Sequence, residues 1–586
     1  MARFVIKIAG ESGAGIESSG VIVMKALKKM GYWITADREF PSLIKGGCAN
    51  YQINFSDRPI RAMSKNHRIG VAVDREGVKS CLETLQPGSL LINGFERWPR
   101  VIKNMEKEAQ EKQIEIIHLP ATTIAKDNGG SGLMVNTVVL GTLWRVLGFD
   151  LNVLKEQVTR QFGKRLHLLE INLRCLQSGY DFVQTPPNLD LSDLNKIHPN
   201  PEDGNQNLLI DGNIALSLGA IHCGVRAYYA YPMSPASSIL SYLAKTAFDT
   251  GIVVKQAEDE ITAAQMALGS MHVGARAFTA TSGGGYDLMT ETVSLAGMIE
   301  TPMVVVIAQR PGPATGLPTW TGQGDLNLAI YSSHGEFARV VMACSDPSSA
   351  FENIQHAFNV AENFQCPTIL LTEKTIAESK TTVPEFPQNN IPILRGLVSQ
   401  KELETVKPSD RYEITDSGVS KRWLPGKSKT IYFANGDEHH EDGSLDETEG
   451  VSDMIWKRVK KIEAIRQALP EPEIFGQPSN TDISFVGWGS SKNAVLDAIE
   501  QSLDYKINYL HFTYLWPLKT DRLKEFFANN PNVHLIEGNA TGQLGQLIAK
   551  ETGLRFVGKL LKWNGRPFYL EDILEYIKKP ILNRDF

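Results

Sequence analysis

Residues 256–285, QAEDEITAAQMALGSMHVGARAFTATSGGG, decide the fold of the chain. Two glutamates, Glu258 and Glu260, stand where a helix opens, and Ala263, Ala264 and Ala267 fall on one face with Glu260. Just upstream, 252–255 is a short β-rich run. Downstream, RAFTAT is another, ending in a serine and three glycines ahead of a helix expected from Asp287. Strand, helix, strand, glycine turn and helix in succession describe an α/β unit with a parallel sheet. The alanine face lets a flat ring or a second helix come close, and the glycines let backbone approach whatever lies beside them.

Working outward, the same alternation recurs three times. RFVIKIA runs into GESGAG (10–15) and a helix over 16–30, followed by the strand-like runs YQINF, IGVAVD, LLINGF and IEIIHL. MVVVIA leads to the long loop QRPGPATGLPTWTGQGD (309–325). DISFVGWGSS, INYLHF and NVHLIEG form a smaller set near the C-terminus. The expected fold class is therefore α/β, with three open parallel-sheet units. They are placed at 1–190, 207–390 and 478–586, joined by a Pro/Asn/Asp-rich linker at 191–206 and by a linker and charged helix at 391–477. A chain of 586 residues is too long for one core, which agrees with several units.

The net charge of −6 gives no basic field for nucleic acid or an anionic membrane surface. No run approaches the 18 apolar residues of a membrane span, and MARFVIKIAGESGAG reads as a strand entering a glycine loop rather than a signal peptide, so a cytoplasmic protein is expected. The six cysteines are scattered, the closest two being Cys344 and Cys366, 22 residues apart, and are read as reduced buried thiols. Iron–sulfur clusters usually take closely spaced thiolates, so any cluster belongs to a partner.

Three further segments carry chemistry. In YAYPMSPASSI (229–239), two prolines stiffen the backbone around the Ser234 hydroxyl. In AQRPGPATGLPT (308–319), Arg310 follows a strand, where α/β sheets place ligands, and offers a bidentate fork to a carboxylate; Thr319 lies nine residues on. SHGEF (333–337) contributes His334, more often a structural residue. The bland alternatives are a Pro-rich turn, a surface arginine and two acids that only favour a helix N-terminus.

Taken together, these motifs resemble the 2-oxoacid:ferredoxin oxidoreductases along nearly the whole chain, with a γ domain fused ahead of the catalytic α subunit. The segment 256–285 resembles the pyrimidine-binding half of thiamine-diphosphate enzymes, whose helix-opening glutamate hydrogen-bonds the aminopyrimidine ring; burial favours the neutral form such a carboxyl needs. Glu260, with the E-x-x-A-A spacing, is preferred over Glu258. The resemblance implies Glu260 as the catalytic residue. It implies Ser234, Arg310 and Thr319 at the substrate, and Tyr231, Pro232, Ser282 and Gly283 beside Glu260 at the cofactor. It assigns Gly10, Gly13, Gly15, Gly46 and Gly47 to coenzyme A. GESGAG departs from the family's G-x-G-G-Q-G by losing the glutamine. EGNATGQLGQLI (537–548) and KWNGRPF (562–568) resemble elements of its transketolase C-terminal-like domain, structural or at a subunit interface.

The diphosphate half of a thiamine site needs G-D-G and a later asparagine to hold Mg²⁺. DGN at 211, GDL at 324 and GDE at 436 do not fit. The implied enzyme is thus completed by a separate β subunit bearing the diphosphate site, Mg²⁺ and a [4Fe-4S] cluster, in an (αβ)2 assembly that reduces ferredoxin. The implied reaction converts 2-oxoglutarate and coenzyme A to succinyl-CoA and CO2, reversibly. Pyruvate or branched-chain 2-oxoacids are the alternative substrates, and a non-catalytic assembly or coenzyme A-binding subunit is the alternative role. The DEHHED stretch (437–442) reads as a solvated acidic turn, with metal binding as the alternative.

Overall fold

The computed structural model describes residues 2–40, 47–96, 99–184, 191–388 and 391–579. Gly46 lies outside the described residues. Contacts divide the chain into two compact units: Met1–Ile210 with Ser379–Glu385 and Tyr569–Glu571, and the remainder.

The first unit is built on an eight-stranded sheet, in the order Glu115–His118, Leu85–Asn93, His67–Ala72, Phe4–Glu11, Cys48–Ser56, Trp33–Glu39, Lys380–Pro384, Asn207–Ile210. The first four strands are parallel, as alternation with helices requires. The rest are antiparallel, with Phe4 opposite Phe55 and Ile6 opposite Ile53. A short connection explains the change: eight residues separate Glu39 from Cys48, and a parallel crossover needs a dozen or more. Both ends of the 207–390 segment thereby enter the first sheet.

The second unit carries two sheets. One runs Tyr514–Trp516, Val340–Ala343, Pro367–Glu373, Met303–Gln309, Ala277–Thr281, Ala227–Ala230, Val253–Gln256, parallel except at its first pair. Its central strand Met303–Gln309 is buried along its whole length, as expected where helices cover both faces. The other runs Glu473–Gly476, Ile507–Phe512, Ile483–Trp488, Val533–Glu537, Gly558–Leu561, again parallel but for its first pair. One apolar core joins the two sheets: Val305, Ile307 and Ile369 share it with Val486, Trp488 and Leu510.

Residues 391–477, expected as linker and charged helix, are packed rather than slack. Arg411, Tyr412 and Trp423 are buried, and the helix Val451–Ala468 sends Lys457 and Lys461 onto the buried carboxylate of Glu300. Burial would raise that carboxyl, but the two ammonium groups and Arg411 outweigh it and hold the group ionised. The thiols follow the sequence reading, with five cysteines buried and Cys48 half-buried, all unpaired. No helix among the described residues is long and apolar enough to cross a membrane.

Candidate active site

The parallel order of the second unit sets the carboxyl ends of four strands side by side. Met303–Gln309, Ala277–Thr281, Ala227–Ala230 and Val253–Gln256 are neighbours in that sequence. Each is followed by one of the segments singled out above: Arg310, Ser282, Tyr231 and the Glu258–Glu260 acids. Segments as far apart in sequence as Tyr231 and Arg310 thus converge at one sheet edge, the place where open α/β sheets bind ligands.

The three acids there have different environments. Glu258 is exposed. Asp259 caps the helix Glu260–His272, its carboxylate accepting the Thr262 N–H at 2.7 Å, and that hydrogen bond lowers its pKa. Glu260 is 4% exposed, and among the described residues its Oε1 has no hydrogen-bond partner. A buried carboxyl oxygen without a partner is costly, which marks a place for a donor or acceptor from a ligand.

Glu260 reaches this position because its neighbours are small. Ala263, Ala264 and Ala267 are buried on the same face, and Ala264 packs with Tyr286 and Met289 of the helix Gly283–Met298. A Cβ on Gly285 would lie 2.8 Å from Glu260 Oε1 and 2.0 Å from Thr281 Oγ1. The glycines expected as a loop before a helix at Asp287 instead form that helix's first turn, with Ser282 as an extended N-cap. The reason is steric: only residues without Cβ leave room for the carboxyls pressed against the turn.

The YPMSP segment closes over this turn. The Ser282 hydroxyl donates to Met233 Sδ at 2.8 Å, and that of Thr281 reaches the same sulfur at 3.7 Å. Arg310 donates to the Ser234 carbonyl at 2.8 Å, which joins the YPMSP and RPGPATGLPT segments directly. Burial lowers the Arg310 pKa, with Asp325 opposing. Tyr231, Pro232 and Ser234 remain exposed at the rim, with Gly284 and Asp287. Thr319 is buried inside its loop. His334 lies on the surface, 3.8 Å from Glu291.

Two features were missed in sequence. Asp325, in the GQGD end of the 309–325 loop, turns back onto Gly283, where a Cβ would lie 2.8 Å from both its carboxyl oxygens. Gln323 pins that loop. Its amide donates to Glu373 Oε1 (2.7 Å) and the Trp488 carbonyl (3.0 Å), and its Oε1 accepts the Gly538 N–H (2.5 Å). Asn539 and Gln543 add bonds to the carbonyls of Gln323 and Gly324. The EGNATGQLGQLI element therefore braces the 309–325 loop from the C-terminal sheet. A polar loop ending in G-D gave the only sequence signal for either residue.

In the first unit, the strand Phe4–Glu11 meets the helix Ile16–Lys29 through Gly13 and Gly15, both at positive φ (92° and 78°). Ser12 N–H donates to the Gly47 carbonyl at 2.8 Å, so the GESGAG turn and Gly47 are adjacent. Gly10 sits against Val73, Ile16 and Asp74. In the DEHHED stretch, His440 pairs with Asp446 (3.2 Å), Glu438 with Arg458, and Asp442 with Ser444. Among the described residues no group of three or more His, Cys, Asp or Glu is arranged to hold a metal.

An orphaned glutamate oxygen beside a glycine helix start, at the carboxyl edge of a parallel sheet, fits the aminopyrimidine half of thiamine diphosphate. Comparison with known proteins gives the same class. Residues 218–449 match the family described as pyruvate flavodoxin/ferredoxin oxidoreductase, thiamine diphosphate-binding, and residues 5–182 match pyruvate ferredoxin/flavodoxin oxidoreductase. The chain is 32% identical to the 2-oxoacid:ferredoxin oxidoreductase subunit alpha of a Sulfolobus species, over 98% of this chain and 96% of that one. It is 27% identical to the 2-oxoglutarate oxidoreductase subunit KorA of Mycobacterium tuberculosis, over 99% and 92%. Among solved structures it matches the 2-oxoglutarate:ferredoxin oxidoreductase of Magnetococcus marinus with a TM-score of 0.89 and 29% identity, covering 99% of both chains. The chain belongs to the thiamine-diphosphate-dependent 2-oxoacid:ferredoxin oxidoreductases, in the class of their α subunits.

Proposed function

We propose that this is the α subunit of a 2-oxoglutarate:ferredoxin oxidoreductase, forming succinyl-CoA, CO2 and reduced ferredoxin, with the reverse reaction fixing CO2. The observation that carries the reading is the buried, unpartnered Oε1 of Glu260 in one cluster with the Arg310–Ser234 pair. The Magnetococcus marinus structure has 2-oxoglutarate, coenzyme A and succinyl-CoA bound, which supports this substrate over pyruvate or branched-chain 2-oxoacids.

Bound thiamine diphosphate would supply the carbon nucleophile and the electron sink for decarboxylation. In this chain, the buried carboxyl of Glu260 would hydrogen-bond the pyrimidine ring, with Tyr231, Pro232, Ser282 and Gly283 lining the ring's seat. Arg310 binds the 2-oxoacid carboxylate in a bidentate fork, Ser234 orients the 2-oxo group, and Thr319 supports the loop they share. Holding the reacting groups in register contributes up to roughly 7–11 kcal/mol. Gly10, Gly13, Gly15 and Gly47 form a turn suited to coenzyme A. A separate cytoplasmic β subunit completes an (αβ)2 assembly, contributing the diphosphate site, Mg²⁺ and a [4Fe-4S] cluster that passes electrons to ferredoxin.

The test is anaerobic dye reduction by the chain alone and coexpressed with its β partner, across a panel of 2-oxoacids, with thiamine diphosphate, Mg²⁺ and coenzyme A. Activity is expected only in the pair and highest with 2-oxoglutarate. A cofactor-loaded pair inert to every 2-oxoacid would leave an assembly or coenzyme A-binding role in its place.

A further inference from the structure

Asp325 is a carboxyl of this cluster that the reading above leaves without a task, and unlike Glu258 and Asp287 it has an oxygen buried without a partner. Its backbone is held at both ends: the N–H donates to Gln309 Oε1 at 3.0 Å, and the carbonyl accepts the Ala329 N–H at 2.9 Å, opening the helix Leu326–Tyr331. The side chain is thereby wedged against Gly283. Asp325 Oδ2 is sealed from solvent and, among the described residues, has no hydrogen-bond partner. The charged groups that act on it are Asp287, on the helix Gly283–Met298, and Arg310, one residue past the neighbouring strand. Arg310 feels Asp325 in return, yet closes no ion pair among the described residues.

A guanidinium that must receive a substrate carboxylate thus already has a buried carboxyl within electrostatic reach. Two anions cannot both occupy that surrounding cheaply, since like charges raise each other's pKa and burial adds to the effect. We propose that Asp325 is a positioning residue that competes with the 2-oxoacid carboxylate for Arg310. As the anion its charge acts on the guanidinium in the empty site without a direct ion pair; when substrate binds, it takes up one proton from solvent and leaves Arg310 to the substrate. That proton returns to solvent when the carboxylate leaves. Burial, then Asp287, push the Asp325 carboxyl up to about 7 against the pull of Arg310, so the exchange falls in the working pH range.

The inference rests on Arg310 being the carboxylate anchor and is tested separately from it. In the assembled pair, the KM for 2-oxoglutarate is expected to be flat below pH 7 and to rise about tenfold per pH unit above it, because one proton accompanies each binding event. The kcat should not share that break. Asp325→Asn should abolish the rise in KM, since an amide cannot ionise. The non-reacting isostere oxalylglycine offers a second readout that needs no variant. Calorimetric titration at pH 8 in two buffers of different ionisation enthalpy should record uptake of close to one proton per molecule bound. A flat wild-type KM, a break that survives in Asp325→Asn, or no proton uptake with oxalylglycine would each overturn the role of Asp325. If Arg310→Gln left the KM unaltered, the anchor itself would be wrong, and with it the functional reading.

Discussion

The chain contains two junctions that look alike in sequence and work differently: GESGAG at 10–15 and TSGGG at 281–285 each carry a strand into a helix through glycines. At the first, Gly13 and Gly15 adopt left-handed backbone, and the helix Ile16–Lys29 starts with no side-chain cap. Around Gly13 there is open space, with nothing within 4 Å of an added Cβ. At the second, no glycine has positive φ; Gly283 and Gly285 lie within the helix, and each faces a carboxyl, Asp325 and Glu260. Glycine serves dihedral freedom in one case and close approach in the other. Among the described residues the orphaned atoms at the second junction are carboxyl oxygens, of Glu260 and Asp325, whereas the first has only the Ser12 hydroxyl, which is why the second reads as the chemical centre.

The largest test of that contrast is Glu260→Gln. Turnover with a 2-oxoacid is expected to fall by at least about 100-fold, the lower range for losing a positioned acid or base, with assembly of the pair intact. Near-normal dye reduction by this variant would remove Glu260 from the mechanism. Next comes Gly285→Ala, whose methyl would lie 2.0 Å from Thr281 Oγ1 and 2.8 Å from Glu260 Oε1. It should cut turnover about 10- to 100-fold by displacing the carboxyl and destabilise the second unit by about 1–3 kcal/mol, read by steady-state kinetics and thermal unfolding. Wild-type kinetics would mean that close approach at this turn is not needed.

A third prediction concerns the brace behind the substrate loop. Burial raises the Glu373 carboxyl to about 7, although bonds from Ser490 and Gln323 oppose it. A folded-state pKa above the unfolded value means that the native state holds its proton more tightly. The associated stability is therefore full below about pH 4.5 and lost as pH rises through 7, a swing of about 3 kcal/mol at most. Glu373→Gln should flatten the fall in unfolding free energy between pH 5 and pH 8, because an amide does not titrate and the Ser490 hydroxyl at 2.5 Å can reverse to accept from it. An unchanged slope would mean that Glu373 is already ionised in the fold. The smallest effect belongs to the other junction. Gly15→Ala, at φ 78° and with its methyl 2.4 Å from Asn136 Nδ2, should cost about 1–2 kcal/mol of stability. A cost of only a few tenths in thermal unfolding would show that the left-handed turn is not strained by a side chain.

Much of this was legible in one dimension. The helix start at Glu260 follows from acids ahead of an alanine-faced periodic run, and the strand ending at Gln309 from an unbroken apolar stretch closed by Arg310. The pairing of Arg310 with Ser234, 76 residues apart, was less accessible, because it depends on which strands neighbour one another. The mixed first sheet was hidden for the same reason, its last two strands coming from positions 207 and 380.

Local periodicity was enough for the α/β class and the helix start at Glu260, and the resemblance of short motifs for the family. These are properties of short stretches whose backbone and side-chain preferences act over a few residues. What only the tertiary structure decided is which polar groups lose water without finding partners. Glu258, Asp259 and Glu260 are adjacent acids in sequence, yet one is solvated, one caps a helix and one is buried with an orphaned oxygen. Asp325 and Gln323 likewise acquire meaning only when Gly283 and Gly538 close against them. Desolvation depends on everything packed around a group, and a linear sequence does not state that surrounding.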